Sequence, residues 1–458
     1  MIRDLNRNAR VGIASLPIWS VFWGLVYFYS PLYMKELGLD EVAIGIVNTV
    51  SLLFAFLCFL IASPITNKLG RKRTTLIFDL LSWTAPMLLW AVSRNVWFFL
   101  AAGVINAFSK VTSISWNCII TEDEEKEKVP RIFAFVSLIN SAIGVFAPFA
   151  GFFIARFGLV PSMRALYAIG AVCMTAMFVV RNSFLAETKA GARIMSGHGG
   201  DTILEGFRKY LRLLSRLRGD GKFLLLAVVF VATNFITTLN VFQVIFLAEE
   251  LSFSRGAISI VPFAVAVANV AAFFLVAPRF GKRRSESALL AFIACNFAAS
   301  LLFLAIPEKN LAAMLAVMAA NGASNFLMAA YRESVFMNSQ GEDEKADMYA
   351  AVQTLTMLLC IPAGYLGGLL YRIGPRTPFA LVSVLYLAAF AAAFAFSRMP
   401  CPIRAPSLHL PDDDGALQSD GRRATRALGV PERGRGLARR RDTPGADSAR
   451  LRGGRRPR

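Results

Sequence analysis

Residues 67–76 read NKLGRKRTTL, with Lys68, Arg71, Lys72 and Arg73 crowded into residues 67–73. On one side lies VAIGIVNTVSLLFAFLCFLIASPI (42–65) and on the other LIFDLLSWTAPMLLWAV (76–92), both almost purely apolar. A bilayer core about 30 Å thick needs roughly 20 apolar residues in a helix. The stretch therefore reads as the turn of a transmembrane hairpin. Its charges hold it on one side, because carrying four cations through lipid is very costly.

The same punctuation continues along all 458 residues. The chain is 56% hydrophobic, above the roughly 45–50% of soluble domains, and its mean hydropathy is +0.53. Apolar runs fall at about 11–33, 41–63, 75–93, 96–120, 131–157, 163–183, 223–248, 255–278, 285–306, 310–338, 346–372 and 377–397. They are numbered here as spans 1 to 12. Backbone groups in lipid must be satisfied within the segment, so the spans are expected as helices. The first run is too long for a signal-peptide core and is kept as a span.

The formal charge of +19 does not point to nucleic acid. Residues 398–458 hold fifteen Arg, no Lys and seven acids, a composition expected to be disordered. The remaining cations lie mostly in alternate loops: Arg3, Arg7 and Arg10; residues 68–73; Lys126, Lys128 and Arg131; the 184–222 linker; and Arg279, Lys282, Arg283 and Arg284. By the positive-inside rule these segments and both termini are cytoplasmic, and the protein is placed in the cell membrane. Linker residues 201–218 read as a basic amphipathic helix or a plain spacer. The six cysteines are scattered, with no Cys-x-x-Cys, and the two histidines lie in polar segments. Neither a metal site nor a hydrolytic set is implied, no cofactor is expected, and no phosphate-binding Gly-x-x-x-x-Gly-Lys turn occurs.

The chain is written twice. YMKELGLDEVAIGIV (33–47) aligns with FLAEELSFSRGAISIV (246–261), placing Glu36 on Glu250, Ile44 on Ile258 and Val47 on Val261 at an offset of 214. PFAGFFIARFG (148–158) aligns with PAGYLGGLLYRIG (362–374) at the same offset on the prolines, and LGRKR (69–73) answers FGKRR (280–284). With six spans per half, both halves start on the same side and are parallel repeats. The expected organisation is a six-helix bundle over 1–183, a linker over 184–222, a second bundle over 223–397 and the tail from 398.

Twelve spans in two halves, a long central linker and the Gly70-Arg71-Lys72 turn resemble the major facilitator superfamily over about residues 10–397. The family's turn carries an Asp and a first Gly where this chain has Asn67 and Ser63. The resemblance implies that Asn67, Gly70, Arg71 and Lys72 form a latch between the halves. Asn67 keeps hydrogen bonding and capping but not charge. A substitute acid is Asp79, or Glu122 and Asp123; the other reading of Asp79 is an interfacial pair with the arginines of the turn.

The resemblance also implies that spans 1, 4, 7 and 10 surround a central cavity. Span 1 offers Trp19, Trp23 and Tyr27 on one helix face, read as cavity lining or packing. Span 4 offers Asn106, Lys110, Ser113 and Asn117 as one polar stripe, with Lys110 near mid-membrane. Lys110 there binds an anionic group or acts as a titrating lysine, or is structural and paired with a carbonyl or an acid. Span 7 offers Asn234, Thr237, Asn240 and Gln243 advancing by threes, and span 10 offers Asn325. Arg332 and Glu333, neighbours in sequence, point about 100° apart on a helix and cannot be assumed to pair; they read as a gate to the other half, or Arg332 completes an anion site with Lys110. Pro148 with Gly151, and Pro362 with Gly364, Gly367 and Gly368, predict bends in spans 5 and 11. Pro148 and Gly151 partly match the family's drug-exporter signature.

The expectation is an all-α, monomeric secondary transporter. Efflux of amphipathic compounds is the first reading, organic-anion transport through Lys110 the second, and a non-transporting sensor or scaffold the third. The partners expected are a small-molecule substrate, a proton or other ion, and the lipid bilayer, without specific nucleic acid.

Overall fold

A computed structural model of the chain describes residues 4–125, 128–141, 143–196, 221–276, 279, 285–339 and 345–399. The linker helix expected over 201–218, the second basic turn at 280–284 and the tail lie outside the described residues, apart from Arg398 and Met399. Every regular element among the described residues is helical. Among the described residues eleven helices are long and apolar enough to cross a membrane, and a shorter apolar helix, Ile143–Phe157, lies within span 5. Their outer faces carry exposed apolar side chains such as Phe149, Phe152 and Val172. In water such a surface would aggregate; against lipid it is the stable arrangement.

Several spans are broken rather than straight. Span 1 runs Arg7–Tyr27, then after two turn residues continues as Ser30–Glu36. Span 7 runs Gly221–Leu239, passes through a 3-10 turn at Asn240–Phe242, and resumes as Gln243–Glu249. Spans 5 and 11 are interrupted just before Ala147–Phe157 and Ala363–Ile373, beside Pro148 and Pro362. A proline lacks the N–H that would continue the ladder.

The repeat seen in the sequence recurs in the packing. Asp40 caps span 2 by accepting from Ala43 N–H, and Ser254 caps span 8 by accepting from Ala257 N–H, each shifted by 214. Span 2 of the first half meets span 11 of the second at Gly45, where an added Cβ would sit 2.4 Å from the Gly364 carbonyl oxygen. The equivalent contact joins span 8 to span 5, where Gly151 faces Ser259. Small residues at both positions let the backbones approach.

At the end of the bundle bearing residues 30–45 and 249–260 the halves are zipped together. Lys35 bonds both Glu41 of its own half and Glu249 of the other. Arg255 bonds Glu36 across the halves at 2.8 and 3.0 Å. Lys35 also lies over the Tyr371 ring, 6.0 Å from its centroid. Burial lowers the Lys35 pKa, but the Glu249 and Glu41 carboxylates more than offset it and hold the ammonium above its ordinary value. Lys35 and Glu249 are repeat equivalents, as are Glu41 and Arg255, so the two copies carry opposite charges at the same two positions.

Candidate functional site

A cavity of about 400 Å³ lies between the halves. From the second half, Thr237, Asn240 and Gln243 line it. They keep one face because the 3-10 turn at Asn240–Phe242 has three residues per turn, the spacing of these three side chains. From the first half come Trp23, Tyr27 and Asn106, joined by Asn48 and Ser51 of span 2 and by Trp90, Phe99 and Tyr167. These last five were not singled out from the sequence. A signal for one of them existed: Trp90 stands seven residues after Trp83 on span 3, so the two share a face.

The rings form a continuous cluster. Trp23 stands edge-on to Trp83 at 5.1 Å between centroids and tilts against Tyr27 at 5.0 Å. Trp90 contacts Trp23 at 6.4 Å and Tyr167 at 5.5 Å. Such pairs are worth about 0.5–1.5 kcal/mol each beyond area burial. The wall is therefore preformed rather than assembled by a ligand.

The stripe expected on span 4 is not continuous. The span runs Val96–Asn106, turns at Ala107 and Phe108, and resumes as Ser109–Thr121. The bonds Lys110 N–H to Ala107 O and Val111 N–H to Phe108 O span three residues instead of four, which tightens the backbone and rotates the second segment. Asn106 therefore faces the central cavity, while Lys110 and Ser113 line a second cavity of about 360 Å³ within the first half. Asn106 also donates at 2.7 Å to the Ser82 carbonyl. Ser82 lies in a π-helical turn, Leu80–Thr84, and four residues on stands Pro86, which has no N–H to return to it. Asn117 lines neither cavity.

Trp19 stacks on Trp23 and lines the second cavity, as do Asp79 and Arg181. Asp79 is not paired with the arginines of the 67–76 turn. It is buried against Arg181 of span 6. Asn234 lines neither cavity; its amide donates to the Phe230 carbonyl of its own helix at 2.9 Å. Asn325 is exposed and also outside both. Arg332 makes no hydrogen bond or ion pair with the first half among the described residues. It donates to Thr233 at 2.5 Å and to its neighbour Glu333 at 3.1 Å, and lies 4.3 Å from the Phe230 ring centroid. The flexible side chains close the roughly 100° between adjacent positions, so the two pair within one half. Arg332 and Lys110 do not share a cavity.

The turn at 67–76 is held within the first half and the start of the linker. The Arg71 guanidinium, 5% exposed, forks onto Glu122 at 2.9–3.1 Å and donates to Asn67 Oδ1 at 3.1 Å. Thr188 donates to the same Glu122 carboxylate at 2.5 Å. Burial raises the Glu122 pKa, but Arg71 and Thr188 more than offset it, leaving the carboxyl below its ordinary value. Glu187 caps the next helix by accepting from the backbone N–H of Arg71 and Lys72 at 2.9 and 3.0 Å. This carboxylate at a helix N-terminus also suits the helix dipole. Gly70 has φ +81°, and a Cβ there would stand 2.7 Å from Glu187. Of the substitute acids, Glu122 is the one that meets the turn; Asn67 accepts from Arg71 rather than capping.

The family model of the Major Facilitator Superfamily matches residues 11–364. Among solved structures, the nucleoside transporter NupG superposes with a TM-score of 0.65 at 15% identity, covering 86% of this chain and 98% of that one. A point mutant of NupG gives 0.67 at 14% identity, over 86% and 99%. An inward-facing, unoccupied bacterial homologue of the human lysosomal transporter Spinster gives 0.62 at 15% identity, over 85% and 96%. No curated protein sequence matches the chain. The structural likenesses carry the fold, and the family match covers more than half of the sequence. This multi-pass membrane protein belongs to the Major Facilitator Superfamily.

Proposed function

We propose that the chain is a secondary transporter carrying a neutral, flat, hydrogen-bonding solute through the central cavity by alternating access. The observation that carries this reading is the cavity lining: aromatic rings face Asn, Gln, Ser and Thr side chains, with no Asp, Glu, Lys or Arg among them. A charged solute would surrender its hydration there without a counter-charge. A neutral ring finds faces to stack on and amides for its edges. The volume falls within the roughly 300–1,000 Å³ of small-molecule sites. A nucleoside, the solute named for one fold neighbour, is an example of the class.

The zipped end carries few cations outside its ion pairs, so the positive-inside rule supports an external position for it, with the cavity reached from the cytoplasm. Two parallel-repeat bundles, 1–183 and 223–397, would rock about the shared interface. Export is the direction that Pro148 and Gly151 support. Organic-anion transport through the central cavity loses its cation, because Lys110 is not among the lining residues.

The test is counterflow into sealed proteoliposomes holding the full chain, with paired neutral and anionic aromatic solutes, beginning with uridine and uridine monophosphate. Neutral members should exchange and their anionic partners should not. Replacing Asn240 and Gln243 together by Ala should cut that exchange about tenfold, two neutral hydrogen bonds at ~0.5–1.5 kcal/mol each. Equal handling of both classes, or full exchange in the double variant, overturns the reading. Deleting 398–458 should leave flux intact; loss of flux would favour the sensor or scaffold reading.

A further inference from the structure

We propose that the first half contains a second binding site, separate from the central cavity, that takes a small aromatic monoanion such as an arene carboxylate. Among the described residues, the cavity of about 360 Å³ is lined by first-half side chains alone. It holds three ionisable side chains: Lys110, Arg181 and Asp79. Asp79 is committed to Arg181, both buried. The Lys110 ammonium has no hydrogen-bond or ion-pair partner among the described residues. One positive charge is therefore left over, half-buried within a transmembrane bundle, where an uncompensated cation is costly.

The donors point to the same deficit. Arg181 Nε and Thr112 Oγ1 are buried without a hydrogen-bond partner, and both side chains are only 7% exposed. Arg181 uses its terminal nitrogen on Asp79, so the Nε–H remains to be satisfied. An ammonium, a guanidinium N–H and a hydroxyl around one space recognise a single anionic group with several acceptor lone pairs. A metal cation would be repelled, and a neutral amide would leave the charge of Lys110 unanswered.

The rest of the wall defines the body of the ligand. Trp19, Trp83 and Trp116 line the same space, with Trp19 edge-on to Trp83 at 5.1 Å. These offer flat apolar faces to a ring. Trp23 lines both cavities, so an occupant of this site touches a wall of the central one. Ligands that share a wall residue alter each other's affinity reciprocally when either moves it.

The test measures binding of radiolabelled indole-3-acetate and its neutral amide to the purified full chain. The carboxylate should bind about tenfold or more tightly than the amide, the scale of a lost charge-assisted hydrogen bond. Lys110→Met should abolish that preference, and Lys110→Arg should retain it. Gln243→Ala, in the other cavity, should leave it unchanged. Removing an unpaired, half-buried charge does not endanger folding, and matching gel-filtration profiles check this. Equal binding of acid and amide, a preference that survives Lys110→Met, or its loss in Gln243→Ala overturns the site. These outcomes do not depend on which solute the central cavity carries.

Discussion

Arg71 illustrates what a single position decides. The sequence shows that Asn67 departs from the family's acid, so the charge either comes from elsewhere, with Asp79, Glu122 and Asp123 as candidates, or is not needed. Choosing among them requires knowing which helix ends meet, and that is a tertiary fact. In the structure Glu122 forks onto Arg71 and Asp79 goes to Arg181. Glu122→Gln should therefore lower stability. Breaking a fully buried pair costs about 3–5 kcal/mol, and with Glu122 19% exposed the expected loss is about 2 kcal/mol in denaturant unfolding. Asn67→Asp should change stability little, because Arg71 already has its carboxylate. The pH dependence has a definite sign. A carboxyl held below its ordinary value of 4.5 stabilises the fold above that value. Its contribution falls away as the pH drops through the lowered value, so thermal stability should be flat near neutrality as far as this pair is concerned and decline only in acid.

At the scale of the element, the stripe of threes on span 7 keeps Thr237, Asn240 and Gln243 on one wall without Asn234, and the stripe on span 4 is split. Thr237, Asn240 and Gln243 share a wall because a 3-10 turn keeps a spacing of three in phase. The stripe Asn106, Lys110, Ser113, Asn117 assumes a straight helix, and the turn at Ala107 and Phe108 splits it between two cavities. Nothing local announced that turn, since no Gly or Pro stands there. The link to Pro86 is non-local: the proline removes a donor on span 3, and Asn106 on span 4 supplies one. Asn106→Leu should thus cost about 1–3 kcal/mol in unfolding experiments, the penalty of an unsatisfied buried carbonyl. Asn106→Gln, which retains an amide, should cost less.

For the whole molecule, the offset of 214 was legible and carries the architecture. Comparing apolar text did not expose the inverted charges at its repeat-equivalent positions. Lys35 faces Glu249, its own copy, and Glu41 corresponds to Arg255. A self-repeating chain would otherwise set like charges against each other at the axis, so the inversion turns repulsion into a clamp. Lys35→Glu should place three carboxylates together and open this end, raising the accessibility of nearby engineered cysteines to aqueous thiol reagents. Adding Glu249→Lys should restore much of the closure.

The most direct test of alternating access is to fix that clamp. In a variant whose native cysteines are replaced, Lys35→Cys and Glu249→Cys can be joined by a reducible bifunctional thiol crosslinker, and solute exchange followed in sealed proteoliposomes. The account predicts that crosslinking stops exchange and that cleaving the linker restores it. Undiminished exchange through a protein crosslinked at this end would contradict it.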